Sequence, residues 1–118
     1  MPTIETPIAG YLERFLDVNA QRHQLIVSNL ANIDTPGYRT RDIDFRQELA
    51  RAAAPEEYPG LTPVARRVEG LMERPDGNNV SVEREGLLLA ETQLRFTTGI
   101  ALLKAEFHRV LTAINEGK

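Results

Sequence analysis

The chain reads as a mainly α protein. Long N- and C-terminal helices pack as an antiparallel coiled-coil-like pair, with a short third helix and an irregular, partly β segment between them. Three observations predict this: a helical apolar pattern over about 7–33, a seven-residue apolar repeat over 81–115, and a Pro- and Gly-rich stretch between them in which periodicity dissolves. At 118 residues the length fits one domain with a modest core. Its parts are the helix 7–33, a turn, extended piece and short helix over 34–54, an irregular middle over 55–80, and the helix 81–115.

Composition narrows the function classes. Charged residues are 26% and hydrophobic ones 42%, ordinary for a soluble chain, and the net charge of −3 disfavours nucleic acid as a partner. The basic doublet Arg66-Arg67 reads as a solvated loop. Without cysteine there is no disulfide and no thiol chemistry. Apolar runs stop at four residues, as in Leu87–Ala90, far short of the roughly 20 that span a bilayer. The first 30 residues lack a basic segment followed by an apolar run, so synthesis in the cytoplasm without a cleaved secretory signal is expected.

Thr6-Pro7 opens the first helix, with threonine as cap and proline at the first helical position, where its missing N–H costs nothing. Leu12, Leu16, Ile26, Leu30 and Ile33 share one face, while Tyr11, Val18 and Leu25 form a second stripe at seven-residue spacing, so this helix requires neighbours on two sides. Pro36-Gly37 ends it: proline pushes Thr35 out of the α region, and glycine accepts the positive φ of a tight turn. Asn29 has two readings, a polar residue that sets register within a helix seam or a helix-end cap. Asp42 and Asp44 alternate with Ile43 and Phe45 as a short extended piece. Asp44 then caps a helix from Phe45 to about Ala54, Gln47 completes a capping box, and Pro55 ends it.

From Pro55 to Asn79 the prolines and glycines permit a short strand pair around Thr62 to Val68, and Pro75-Asp76-Gly77-Asn78-Asn79 is strong turn chemistry. Ser81 caps the last helix, with Glu83 and Glu85 in its first turn. Val82, Leu89, Phe96, Leu103 and Val110 recur by sevens, accompanied by Gly86, Gln93, Ile100, Phe107 and Ile114. The expected seam therefore comprises Val82, Leu89, Phe96, Ile100, Leu103, Phe107, Val110 and Ile114. Gly86 and Gly99 each cost about 1 kcal/mol against alanine inside a helix, so they mark a close helix approach or a place where the helix yields.

Catalytic candidates are few. His23 and His108 are the only histidines, and neither has the neighbours that a triad or ligand set requires. Asp42 and Asp44 as paired carboxylates are the weaker reading beside capping. No glycine stands in strand-glycine-helix order for a phosphate. No enzyme activity, cofactor, metal or small-molecule substrate is expected.

The stretch Ser28-Asn29-Leu30-Ala31-Asn32-Ile33-Asp34-Thr35-Pro36-Gly37-Tyr38 resembles the signature of the bacterial flagellar rod and hook proteins. Arg39-Thr40-Arg41-Asp42-Ile43-Asp44-Phe45 resembles their proximal-rod branch. So do Gly77-Asn78-Asn79-Val80, Glu85, Glu91, Gln93-Leu94-Arg95-Phe96 and Leu111-Thr112-Ala113-Ile114. The resemblance covers both terminal segments and misses about 50–74. The chain departs from it at Ser81, where the family tends to be acidic, at Gly86, where it has methionine, and at Phe96, where it has tyrosine.

The resemblance implies a self-assembling structural subunit of the basal-body rod, exported by the flagellar type III apparatus, built into the periplasm-spanning helical tube and transmitting motor torque. Partners implied are copies of itself, rod subunits of the FlgC, FlgF and FlgG types, and FliE with the export gate. Ser28, Asn29, Ala31, Asn32, Thr35, Pro36, Gly37 and Tyr38 are then the motif and the expected subunit contacts, with the polar helix end aimed at a neighbour. The residues alone also allow a small cytosolic helical-hairpin adaptor or export chaperone.

Overall fold

A computed structural model describes residues 6–59 and 62–117. Gly60 and Leu61, part of the irregular middle, lie outside the described residues, as do 1–5 and 118. The elements in order are helix α1 (Pro7–Ala31), strand β1 (Arg41–Ile43), helix α2 (Phe45–Ala52), strand β2 (Ala65–Arg67) and helix α3 (Val82–Glu116). The molecule is elongated, with principal extents of 69 × 28 × 24 Å.

Local chemistry sets most of the helix boundaries. Thr6 Oγ1 accepts from the Ala9 N–H at 3.0 Å ahead of Pro7. Asp44 Oδ1 accepts from the Gln47 N–H at 3.1 Å and opens α2. Ser81 Oγ accepts from the Arg84 N–H at 3.2 Å and opens α3. Each bond satisfies a donor that the first helical turn leaves without an intrahelical acceptor. Serine in place of an acidic residue thus keeps the cap, and Gly86 faces open space.

α1 and α3 run antiparallel. Thr6 Oγ1 donates to Glu106 Oε1 at 3.0 Å at one end of the pair. Gly99 meets Phe15 and Leu16 midway, where an added Cβ would lie 2.8 Å from Leu16 Cδ2. This is a close approach that only glycine permits without displacing the leucine. α1 also contacts α2 and β1, which supplies neighbours for its second apolar stripe within the chain.

The buried register of α3 differs from the apolar count. Its buried residues are Glu85, Thr92, Gly99 and Glu106, a seven-residue series of polar and small side chains. Leu89, Phe96, Leu103, Phe107 and Val110 are half-buried beside it, whereas Val82, Ile100 and Ile114 are exposed. The buried residues of α1 likewise include Asn19, Arg22 and Asn29 as well as Leu12 and Ile26. A count of apolar residues selects the series richest in leucine and isoleucine; the helix is rotated so that part of that series faces outward.

The strand pair also forms differently. Ala65–Arg67 pairs antiparallel with Arg41–Ile43, not with a second strand inside 62–68. β1 is thereby enclosed between β2 and α1, and two of its three residues, Asp42 and Ile43, are buried.

Candidate functional site

The motif at the end of α1 stands beside two polar clusters, both fastened to β1. Asn29, 1% exposed, uses its amide on the backbone of Arg41. Its Nδ2 donates to the Arg41 carbonyl at 2.9 Å, and its Oδ1 accepts from the Arg41 N–H at 3.2 Å and from Tyr38 Oη at 3.0 Å. It acts as one rung of a ladder between helix and strand, which is neither of the two roles read from the sequence. Asn32 closes the helix end locally, donating to the Ser28 carbonyl at 2.8 Å and accepting from Thr35 Oγ1 at 3.0 Å.

The remaining carbonyls of this helix end are met from across the chain. Asn78, fully buried, donates through Nδ2 to the carbonyls of Asn32, Ile33 and Thr35 at 2.9, 3.0 and 2.9 Å. With only two amide hydrogens, one of them is shared. Arg74 donates to the Ile33 carbonyl as well. Asn79 Oδ1 accepts from the Thr40 N–H at 2.7 Å, and the Gly37 N–H donates to the Asp76 carbonyl at 2.8 Å. Gly37 and Gly77, at φ of 74° and 86°, lie so close that a Cβ on Gly77 would stand 3.3 Å from Gly37 Cα. The turn after α1 and the turn before α3 thus form one clasp.

The second is a buried charge cluster centred on Asp42. Arg22 of α1 grips it with two bonds, Nε–Oδ1 at 3.1 Å and Nη2–Oδ2 at 3.0 Å. Arg84 of α3 reaches Oδ2 at 2.7 Å and Glu85 Oε1 at 2.8 Å. The Phe45 ring lies beneath two guanidinium groups, Arg95 at 4.1 Å and Arg22 at 5.5 Å, a cation–π geometry. Burial pushes the Glu85 carboxyl above its usual range; the Asn29 amide and the Arg84 guanidinium act in the opposite direction, and the Asp42 charge adds to the rise. One carboxylate therefore ties α1, β1 and α3 together.

Of the motif residues, Ser28, Ala31, Thr35, Pro36 and Gly37 are exposed, Asn32 and Tyr38 half-buried, and Asn29 buried. The polar helix end thus has a use inside the chain, and what it presents outward is the turn it supports. Arg22, Arg74 and Arg84 carry no signal for this site in the sequence, while Asp42 and Glu85 stand there only as an extended-piece residue, a first-turn carboxylate and parts of the resemblance. Asn78 and Asn79 were visible only as turn chemistry and as part of the resemblance.

Among the described residues no His, Cys, Asp and Glu group has metal-site geometry. His23 is half-buried and His108 exposed. No helix among them is long and apolar enough to cross a membrane.

No family model matches the chain. Individual relatives do. The chain is 39% identical over 118 residues to the flagellar basal body rod protein FlgB of Cereibacter sphaeroides, which covers 89% of this chain and 91% of that protein. To the FlgB proteins of Salmonella typhimurium and Escherichia coli it is 28% and 27% identical over 127 residues, covering 91% of this chain and 92% of each relative. With similarity running over about 90% of its length, the chain belongs to the FlgB family of flagellar basal body rod proteins.

Proposed function

We propose that the chain is a structural subunit of the flagellar rod, exported by the flagellar type III apparatus and assembled into the helical tube of the proximal rod, which transmits motor torque. Its partners on this reading are further copies of itself, rod subunits of the FlgC, FlgF and FlgG types, and FliE with the export gate at the rod base. The observation that carries the proposal is the 39% identity to a FlgB protein over nearly the whole chain.

The distribution of apolar surface supports it. The intrachain seam of α3 is polar and small, while Leu87, Leu94, Ile100, Leu102, Leu111 and Ile114 of the same helix are exposed, Leu94 by 67%. A long helix with this many of its large aliphatic residues outward has surface left for neighbours. α3 also runs ten residues beyond Glu106, which is level with Thr6, an extension of about 15 Å at 1.5 Å per residue. Different surfaces of one subunit meeting head to tail in a contact that does not close generate a helical filament. The exposed turn Thr35-Pro36-Gly37, held from behind by Asn78, is a second contact surface in this scheme.

Leu103→Asp and Phe107→Asp test the helix pair in the assembled state. Each places a charge on the half-buried flank of the seam, and each should abolish swimming when it replaces the native chain. Unchanged motility in a swimming-halo assay would count against the proposal.

A further inference from the structure

Among the described residues, two patches of opposite sign stand outside the ion pairs. On the strand pair, Arg41 and Arg67 are direct partners across the ladder, and both are exposed. The ion pairs among the described residues involve other arginines. Like charges directly opposite one another on a strand pair destabilise it. On α1, Glu13 and Asp17 stand one helical turn apart, both exposed and neither in an ion pair among the described residues. Like charges at this spacing are also unfavourable. The cations near them are engaged elsewhere: Arg14 Nε donates to the Ala52 carbonyl at 2.7 Å, and Arg51 pairs with Glu48 at 3.4 Å.

The two patches cannot relieve each other within one molecule. The Arg41 backbone is fastened to Asn29, 12 to 16 residues along α1 from Asp17 and Glu13, roughly 18–24 Å at the helical rise. That is several times the reach of an arginine side chain. Between two molecules the same separation is productive, because a head-to-tail contact between different patches propagates along a filament wherever its rotation does not close.

We propose that the Arg41/Arg67 pair of one copy docks on the Glu13/Asp17 face of the next; the inference rests on the rod-subunit reading above and names one of its contacts. In cells lacking the gene, chains carrying Arg41→Glu with Arg67→Glu, or Glu13→Lys with Asp17→Lys, should build no rods and not swim. A chain carrying all four changes restores opposite charges at every contact and should recover both. The smaller swap of Arg67→Glu with Asp17→Lys should behave in the same way, each half alone reducing swimming and the two together restoring it. Wild-type rods in either two-residue reversal, or failure of both swaps to restore rods, overturns the contact. Rods that form with the gene deleted overturn the rod reading itself, a distinguishable result.

Discussion

Asp42→Ala is expected to lower the stability of the chain by about 3–5 kcal/mol, the usual cost of removing one partner from a buried charge cluster. Asp42 is 8% exposed and is the acceptor for three guanidinium hydrogen bonds from α1 and α3. Its loss leaves Arg22, itself 9% exposed, without an anion. Arg84 keeps Glu85, but that carboxyl is already disfavoured in its charged form by burial. Ile43 also loses the acceptor of its N–H at 2.8 Å. Because small domains are stable by only about 5–15 kcal/mol, the variant should unfold at much lower urea concentration, followed by circular dichroism. A midpoint unchanged from that of the native chain would show that the cluster holds nothing together.

Asn78→Ala removes the donor shared by three carbonyls at the end of α1, with an expected cost of about 2–3 kcal/mol for acceptors left unmatched. Asn78→Asp should be worse than alanine although it is nearly isosteric, because it points a carboxylate at those same carbonyl oxygens. Amide hydrogen exchange should then show faster exchange across Asn29–Thr40 in both variants. If aspartate is tolerated as well as alanine, the amide is not acting as the donor described here.

The parts of the fold that were legible in the sequence are those set by neighbours along the chain. Thr6-Pro7, Asp44 with Gln47, and Ser81 each cap a helix as their types and spacing indicate, because a cap is a bond across three residues. The apolar periodicity likewise identified both long helices. What escaped was set across the chain. Arg22 and Arg84 meet at Asp42 over separations of 20 and 42 residues, and no periodicity in either helix marks its arginine as a partner of that carboxylate. The partner of β2 escaped for the same reason, since Ala65–Arg67 reaches back to β1.

The seam of α3 escaped for a different reason. A hydrophobic count assumes that a helix buries its most apolar face against its own chain. Here the series Glu85, Thr92, Gly99 and Glu106 lies inside while Leu87 and Leu94 lie outside. The assumption holds for a protein that completes its core alone and fails for one that uses its outward faces for neighbours, as proposed above for this chain. Asn29 illustrates both limits: its position near a helix end was informative, but its partner is the backbone of a strand 12 residues on.

Electron microscopy of basal bodies isolated from cells in which this gene alone has been deleted is the most direct test of the central claim. The account predicts that the rod is missing, and that supplying the native chain restores it. Complete rods in the deletion strain would contradict it.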